Sequence, residues 1–255
     1  VSGAANGISW WSAPVDPAGH HSYLYNSGHV EGETSGVYLD TSEAMVVRNS
    51  GVISGGDYSL AVVGTGRIRF VNTGLVEGVV ALGSGNDTYN GKEGEATTNI
   101  QGFGGKDRLF GGDGDEIFYG GEAADTINAG DGQDYLSGDG GADKLTGGED
   151  SDVFQFLALA DSGIGASTRD LITDFSQAED DLIDLSALDA KPATDADDAF
   201  KFIGTAAFSG KAGEVRFEIS GNSTIVHVNT DTDKADEFSL ELNGKITLTA
   251  GDFNL

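Results

Sequence analysis

The chain has 255 residues, enough for one elongated domain or two to three compact ones. Its 42 Asp and Glu residues outnumber 14 Lys and Arg residues, giving a formal charge of −28 at pH 7. A surface this acidic repels nucleic acid and anionic membranes, and no apolar run approaches the roughly 18 residues of a membrane span. We therefore expect neither nucleic acid as a partner nor membrane insertion. The absence of cysteine excludes disulfides and cysteine-based zinc sites, and the 40 glycines do not recur at every third position, which excludes collagen.

The first repeat along the chain has a period of 23 residues. The segments NSGHVEG, NSGVISG and NTGLVEG begin at Asn26, Asn49 and Asn72, with short β-branched runs such as AMVVR and RIRFV between them. Strands of this length, separated by Gly and Asn, are typical of the coils of a parallel β-helix. In such a fold the three asparagines would stack, each amide bonding the next. A β-sandwich with chance internal similarity is the alternative.

The second repeat has a period of nine residues, with an acidic residue at position six and an apolar residue two positions later. The acidic positions are Asp107, Glu116, Asp125, Asp134, Asp143 and Asp152, and the apolar ones are Leu109, Phe118, Ile127, Leu136, Leu145 and Phe154. An earlier copy has Asp87 and Tyr89. Glycines at the first five positions allow left-handed backbone angles, so that carbonyl groups can turn inward around a small cation. The three residues after the acidic position then form a short strand whose central side chain fills the interior.

Two nonapeptides make one turn of 18 residues, so acidic residues of every second repeat stack about 4.8 Å apart. One predicted column contains Asp107, Asp125 and Asp143, and the other contains Glu116, Asp134 and Asp152. Carboxylates at this spacing repel by about 1 kcal/mol even in water, so the columns need cations. Calcium accepts six to eight oxygen ligands in irregular geometry, whereas magnesium demands a near-octahedral shell. We predict several calcium ions, roughly five to eight.

The predicted calcium-binding residues are the loop glycines together with the acidic residues. They are Gly83, Gly85, Asp87, Gly102, Gly104, Gly105, Asp107, Gly111, Gly112, Gly114, Glu116, Gly120, Gly121, Asp125, Gly130, Gly132, Asp134, Gly138, Gly140, Gly141, Asp143, Gly147, Gly148, Asp152, Asp161, Asp170 and Asp181. Phe103 and Asp139 replace the second glycine of their repeats, and Ala123 and Asp150 replace the fourth. We expect weaker binding in those loops. A flexible Gly/Asp linker is disfavoured, because linkers lack a registered apolar position.

This block resembles the repeats-in-toxin family, whose nonapeptide G-G-x-G-x-D-x-U-x is a calcium signature. GGDGDEIFY, GGEAADTIN and GGEDSDVFQ keep both leading glycines, and the resemblance covers about residues 82–155. It implies a parallel β-roll with Ca²⁺ between successive loops.

The next segment is similar to the C-terminal domain of serralysin-type secreted metalloproteases, whose pattern is roughly F-x-F, D-S, D-x-I-x-D-F and D-x-I-D-L-S. The matching residues are Phe154, Phe156, Asp161, Ser162, Asp170, Ile172, Asp174, Phe175, Asp181, Ile183, Asp184, Leu185 and Ser186. One residue more than usual precedes the last element, which leaves Asp180 as an alternative to Asp181. A solvated acidic surface is the other interpretation of this segment.

Asp161 and Asp170 also continue the nine-residue register after the glycines end. We therefore expect Asp161 to follow Asp143 in its column and Asp170 to follow Asp152. The serralysin resemblance implies that Asp161, Asp170 and Asp181 share a terminal calcium.

From residue 200 onward, FKFIG, EVRFEIS, STIVHVN, FSLELNG and KITLT predict antiparallel strands with tight turns such as SGNS. This region resembles the serralysin C-terminal module that caps the roll. In its acidic loop, HVNTDTDKADEF, His227 stands where Asp is expected, so we predict no strong ion site there. The final residues, AGDFNL, resemble the uncleaved C-terminal signal of type I secretion, and the first residues lack the features of a cleavable signal peptide.

Catalytic motifs are absent from the sequence. It contains no H-E-x-x-H of the serralysin protease, no G-x-S-x-G elbow and no phosphate-binding P-loop. His20 and His21 are adjacent and would face opposite ways on a strand, and we interpret Trp10 and Trp11 as a cap on the β-helix rather than a sugar platform. We lean towards a chain without catalytic activity.

We predict an all-β protein in three parts: an N-terminal parallel β-helix (1–81), a calcium-binding parallel β-roll (82–160) and an antiparallel β cap with the secretion region (161–255). The leading hypothesis is a non-catalytic module for calcium-dependent folding and type I secretion of an extracellular bacterial protein. Its partners would be calcium and the secretion apparatus. One alternative is a fragment of an epimerase-like or lyase-like enzyme acting on extracellular polysaccharide, because this architecture resembles alginate epimerases. The other is a calcium-dependent adhesin or matrix protein that binds polysaccharide or a cell surface.

Overall fold

The computed structural model describes residues 6–11, 22–194 and 198–255. They form a parallel β-solenoid in which two sheets face each other across one hydrophobic core. Sheet one contains, in spatial order, β1 (Asn6–Trp11), β4 (Ser35–Asp40), β6 (Val52–Val63), β8 (Leu75–Ala81), β11 (Asn99–Gln101), β13 (Ile117–Glu122), β15 (Tyr135–Gly140), β17 (Val153–Gln155), β19 (Leu182–Asp184) and β24 (Phe253–Asn254), with β3 (His29–Gly32) beside β6 and β10 (Glu95–Ala96) beside β8. Sheet two contains β2 (Ser22–Asn26), β5 (Met45–Asn49), β7 (Ile68–Asn72), β9 (Thr88–Asn90), β12 (Arg108–Phe110), β14 (Thr126–Asp131), β16 (Lys144–Glu149), β18 (Asp170–Ile172), β23 (Phe238–Asn243), β22 (Ser223–Asn229), β21 (Glu214–Ser220) and β20 (Lys201–Phe202).

The length of one coil shortens along the solenoid, as the two repeats predict. Met45 pairs with Ser22 and Ile68, each 23 residues away, whereas Thr126 pairs with residues 18 positions away on either side. Both parts run in parallel register, so the β-helix prediction for the N-terminal coils is confirmed and the β-sandwich alternative is wrong. The glycine-rich turns of the nonapeptides account for the shorter coil, because they reverse the chain in fewer residues.

The core is a stack of the apolar residues that follow each turn. The six predicted interior side chains of the nonapeptides, from Leu109 to Phe154, are completely buried. Phe70, Tyr89 and Phe118 continue the stack, with ring centroids 5.6 Å and 6.4 Å apart. Burial of each such side chain contributes about 1.5–3 kcal/mol, which is what holds strands of only three residues in place.

Asparagines form the predicted ladder in the N-terminal coils. The amide of Asn26 donates to Oδ1 of Asn49, and the amide of Asn49 donates to Oδ1 of Asn72, both at 2.8 Å. Each amide also bonds backbone carbonyls, such as that of Leu75 from Asn49 at 3.0 Å. The ladder is electrically neutral, so these coils need no ion to satisfy their buried polar groups.

The C-terminal cap is an antiparallel unit joined to the solenoid. β21, β22 and β23 pair antiparallel, and the turn between the first two contains Gly221 at φ +65°. β23 then pairs parallel with β18 of the solenoid. Two predictions are wrong here: residues 201–202 pair parallel to β21, and residues 245–249 form no strand. Thr224 Oγ1 accepts the N–H of Ile246 at 2.8 Å and so replaces a strand partner for that segment.

The last residues of the chain are part of sheet one. A short 3₁₀ turn, Ala250–Asp252, is capped by Thr249, whose N–H donates to the Asp252 carboxylate at 2.5 Å. The turn leads into β24, in which Phe253 pairs with Ile183 of β19 and is 7% exposed. No helix in the described ranges is long and apolar enough to cross a membrane.

Candidate metal centre

Two columns of carboxylates run along the turns of the solenoid. Each acidic residue stands at the start of a short strand. In every member except Asp87 and Glu116, which come first in their columns, the Oδ1 atom accepts the backbone N–H of the acidic residue one coil earlier. Asp125 accepts from Asp107 at 2.7 Å, Asp143 accepts from Asp125 at 2.7 Å, and Asp152 accepts from Asp134 at 3.0 Å. Column one contains Asp87, Asp107, Asp125, Asp143 and Asp170, and column two contains Glu116, Asp134, Asp152 and Asp181.

The second oxygen of most of these carboxylates has no protein partner. Seven aspartates are at most 2% exposed, and the Oδ2 atom of each is buried without a hydrogen bond from the described protein. They are Asp87, Asp107, Asp125, Asp134, Asp143, Asp152 and Asp170. A buried charged oxygen without a partner is strongly destabilising. Such an oxygen is present at every level of column one and at Asp134 and Asp152 of column two, and this is a donor set that a row of cations requires.

Backbone carbonyls and a small void complete the surroundings of these oxygens. A Cβ atom added to Gly120 would lie 2.6 Å from Oδ2 of Asp125 and 2.7 Å from the carbonyl oxygen of Gly138. At Gly102 the added atom would collide with Oδ2 of Asp107 and with the carbonyl of Gly120. Glycine at the first position therefore leaves space beside an orphan carboxylate oxygen and the carbonyl of the next coil. Hard oxygen donors around a small void fit Ca²⁺.

Burial raises the pKa of every carboxyl group in the columns. The pKa rises to about 6 for Asp107, Asp134 and Asp181, to about 7 for Asp87, Glu116 and Asp170, and to about 8 for Asp125, Asp143 and Asp152. Loss of hydration is the largest cause, and the neighbouring carboxylates of the columns add to it in most of them. A divalent cation reverses this effect, because its charge favours the ionised form.

Glycine at positions two and four of the repeat allows the left-handed backbone angles of the turns. Gly105, Gly121, Gly130, Gly132 and Gly148 all have φ between +104° and +122°. The four residues that replace glycine keep left-handed angles, from +57° to +82°: Phe103, Ala123, Asp139 and Asp150. The loops thus keep their path at a cost of about 1–2 kcal/mol for each such residue. Neighbouring glycine turns also pair with one another, so four predicted three-residue strands extend to six residues.

The predicted continuation of the nine-residue register beyond Asp152 is wrong. Asp170, not Asp161, follows Asp143, whose N–H donates to Asp170 Oδ1 at 2.8 Å across 27 residues. Asp181 follows Asp152, at 3.0 Å across 29 residues. The physical reason is that the segments before these residues form longer loops than a nonapeptide, so counting residues no longer measures position along the solenoid.

Asp161 lies outside both columns. Its Oδ2 atom accepts the N–H groups of Leu157 and Ala158 at 2.7 Å and 2.8 Å. Its charge contributes to the raised pKa of Asp170, so the two carboxyl groups are neighbours. Asp181 ends the other column, and the geometry therefore does not support one calcium shared by all three. Asp180 is not the column member, because it is Asp181 whose Oδ1 accepts the N–H of Asp152.

Two further half-buried carboxyl groups, Asp139 and Asp174, lie near the columns and were not predicted as site residues. Burial raises the pKa of both, and Asp174 Oδ1 accepts the N–H of Gly147 at 3.2 Å. The D-x-I-x-D-F resemblance contained a signal for Asp174. Asp139 occupies a glycine position of the repeat, and the sequence contains no signal that identifies it as a site residue.

The acidic loop of the cap brings three carboxylates together but is largely satisfied from within. Ligand atoms of Asp231, Asp233 and Glu237 lie within 4.8 Å of one another. The Asp231 and Asp233 carboxylates accept backbone N–H groups of the same loop at 2.7 Å, and both side chains are exposed. His227 pairs with Asp236 at 2.7 Å. The expectation that this loop holds no strong ion site stays a prediction. His20 and His21 and the side chains of Trp10 and Trp11 lie outside the described residues.

Comparison with known protein families decides the classification. Residues 42–254 match the family described as Peptidase M10 serralysin C terminal. This chain belongs to that family. The family has a β-roll of the repeats-in-toxin type and is typically calcium-binding, and its members are C-terminal regions of secreted proteins.

Among solved structures, the chain is similar to two repeat subunits of one enzyme. The solution structure of the AlgE6R3 subunit of the Azotobacter vinelandii mannuronan C5-epimerase is 28% identical, with 62% of this chain and 79% of that chain covered and a TM-score of 0.43. The AlgE6R2 subunit of the same epimerase is 26% identical, with 56% and 89% covered and a TM-score of 0.37. No curated protein matches the chain.

Proposed function

We propose that this chain is a calcium-dependent folding module that accompanies type I export of an extracellular protein. The observation that carries the proposal is the row of buried aspartates whose Oδ2 atoms have no partner in the described protein. Family membership supports calcium as the ion and secretion as the setting. We further propose the boundaries 1–81, 82–160 and 161–255 for the β-helix, the calcium-binding roll and the cap with the secretion region.

The columns link folding to calcium through electrostatics. In the unfolded chain the carboxylates are ionised and hydrated at neutral pH. Folding without an ion must protonate them or bury them charged, and burial raises the pKa of Asp125, Asp143 and Asp152 to about 8. Where calcium is scarce, as in the cytosol, the roll is therefore unfavourable and the chain stays expanded and able to pass through a channel. Outside the cell, calcium supplies the missing partner of each Oδ2 atom and the roll forms.

The energies are of the right size for a switch. Extracellular calcium sites bind at about 10⁻⁴ to 10⁻³ M, and each independent site adds roughly 1.4 kcal/mol when the free ion is at ten times Kd. Several sites together match the whole stability of a domain, about 5–15 kcal/mol. The loops of every second repeat stack in one column. An ion bound between two of these loops therefore also positions the ligand oxygens of the neighbouring site, which makes the transition cooperative.

Far-UV circular dichroism of the full chain during a calcium titration, with magnesium as the control, tests the proposal. We expect a cooperative change from coil to β-structure near millimolar Ca²⁺ and no such change with Mg²⁺ at the same concentration. A roll that is already folded at neutral pH in a strong chelator would refute the mechanism. A transition driven equally well by Mg²⁺ would refute the assignment of calcium.

A further inference from the structure

The outer face of sheet two is a cationic surface on an acidic chain. Two rows of outward side chains run across seven paired strands, from Tyr23 and Tyr25 on β2 to Lys144 and Thr146 on β16. None of the positions in these rows is acidic, although the chain has 42 Asp and Glu residues. By contrast, no strand of sheet one contains a Lys or Arg residue. The charge is therefore sorted between the two sheets: the strands of sheet one contain carboxylates and no Lys or Arg, and the outward rows of sheet two contain cations and no carboxylate.

The arginines of the first coils on this face form no ion pair with a described carboxylate, although the charge of Arg67 acts on the carboxyl group of Asp87. Arg48, Arg67 and Arg69 are exposed, and no carboxylate of the described residues lies within ion-pair distance of them. Elsewhere on the chain cations do pair, as Arg216 does with Glu218 at 3.0 Å. Arg48 on β5, Arg69 on β7 and Arg67 immediately before β7 concentrate positive potential at one place on a chain with a charge of −28.

Two exposed tyrosines lie beside these arginines. The rings of Tyr23 and Tyr25 are stacked, with centroids 5.8 Å apart and an interplanar angle of 14°. They are 50% and 67% exposed, among the most exposed large hydrophobic side chains of the described chain. Tyr23 is in register with Val46 and Arg69, and Tyr25 is in register with Arg48. An aromatic platform thus adjoins the guanidinium groups on one flat, rigid sheet.

We propose that this basic face, formed by Tyr23, Tyr25, Arg48, Arg67 and Arg69, binds an acidic polysaccharide built of uronic-acid residues. Guanidinium groups bind carboxylates with two parallel hydrogen bonds, and tyrosine presents a broad apolar face together with a polar tip, which suits a sugar ring. Strands follow one another every 4.7–4.9 Å, so the face offers a regular series of positions to a polymer of repeating units.

Charge density favours a polyuronate over a nucleic acid on this face. Double-stranded DNA carries one charge per ≈ 1.7 Å, and it would bring many unmatched phosphates close to the acidic turns. A polyuronate carries one charge per sugar, which three arginines on adjacent coils can match. The inference rests on the fold and the outer face of sheet two, not on the calcium switch, because the columns lie in the turns.

Calorimetric titration of the calcium-loaded full chain with a hexamer of galacturonic acid tests the inference. The double variant Arg48→Gln/Arg69→Gln is expected to raise Kd by about tenfold or more, because it removes two groups that form charge-assisted hydrogen bonds. The matched control Lys211→Gln/Lys234→Gln removes the same charge from exposed sites on the cap, and should change Kd by less than about twofold. Circular dichroism should show that both variants fold with the wild-type calcium midpoint.

A second variant and two further ligands keep the result decisive. Tyr25→Ala retains every charge and should weaken binding, because it removes half of the stacked platform. The methyl-esterified hexamer, which keeps the rings and loses the charges, should bind at least about tenfold more weakly than the acid form. The inference is overturned if the wild type does not bind the acid hexamer, if the ester binds equally well, or if the control variant loses as much affinity. Equal binding of a DNA oligomer with the same number of charges also overturns it. A chain that folds without calcium would refute the proposed function and leave this inference standing.

Discussion

Replacing Asp125 by Asn should change the stability of the chain in opposite directions with and without calcium. Asp125 is 2% exposed, its Oδ1 accepts the N–H of Asp107 at 2.7 Å, and its Oδ2 has no partner. An Asn side chain has nearly the same shape and can keep the bond from Asp107. It removes only the charge, so the variant isolates the electrostatic term of the column.

In metal-free buffer the variant should be more stable than the wild type. Burial raises the pKa of Asp125 from 3.8 to about 8. Stability from a raised carboxyl pKa is fully present below the unfolded value and is lost as the pH rises towards the folded value. At pH 7 the loss amounts to at most about 4 kcal/mol, and relaxation and water entry reduce it to an expected 1–2 kcal/mol. Asn does not titrate and escapes this loss.

With calcium the sign should reverse. Asp125 lies between two neighbours in column one, so its Oδ2 is a ligand for the calcium sites above and below it. Each site that no longer binds lowers the free energy of unfolding by about 1.4 kcal/mol when calcium is at ten times Kd. Urea unfolding followed by circular dichroism at pH 7 measures both differences; trimethylamine N-oxide restores the fold where the metal-free chain is unfolded. Glu77→Gln, at an exposed position of β8, is the control for loss of charge. The reasoning fails if Asp125→Asn stabilises, or destabilises, the chain under both conditions.

Three other predictions test the backbone, the ladder and the pH dependence. Ala123→Gly should stabilise the calcium-loaded chain by about 0.5–1 kcal/mol in urea unfolding, because Ala123 has φ +82°; a loss of stability would contradict the left-handed assignment. Asn49→Ala should cost about 2–3 kcal/mol in thermal unfolding and more than Asn26→Ala, because it leaves partners on both sides of the ladder unsatisfied; equal costs would argue against a ladder. In metal-free buffer the β-sheet signal should increase as the pH falls from about 8 to about 5, because protonation neutralises buried carboxyl groups with raised pKa values; a signal that falls with acidification would contradict the burial of charge.

The parts of the fold that the sequence predicts well are those with a strict period. A nonapeptide repeated without insertion keeps residues 18 apart on adjacent strands, so the columns through Asp125 and Asp134 follow from counting alone. The ladder through Asn49 follows in the same way from the period of 23. In both cases one structural unit equals one sequence unit, and no knowledge of the loops is needed.

Prediction from the repeat fails where a longer loop is inserted, because the number of residues then no longer gives the position along the solenoid. Asp161 satisfies the register but lies in the loop before β18, while Asp170, nine residues later, occupies the place in column one. The basic face shows the same limit. Arg48, Arg69 and Arg108 have no common spacing in the sequence, and only the pairing of β5, β7, β9 and β12 places them on one face. An overall charge of −28 conceals such local sorting.

The position of the last strand has a consequence for the timing of export. Phe253 is 7% exposed and pairs with Ile183 inside sheet one, so the segment that resembles the export signal is itself a building element of the folded chain. Under the proposed function, recognition by the transporter and formation of the sheet compete for the same residues. A molecule that folds before it is recognised buries the segment that the transporter would bind. A molecule that has crossed the membrane and folded cannot be bound by the transporter again. Calcium would then make export irreversible as well as productive.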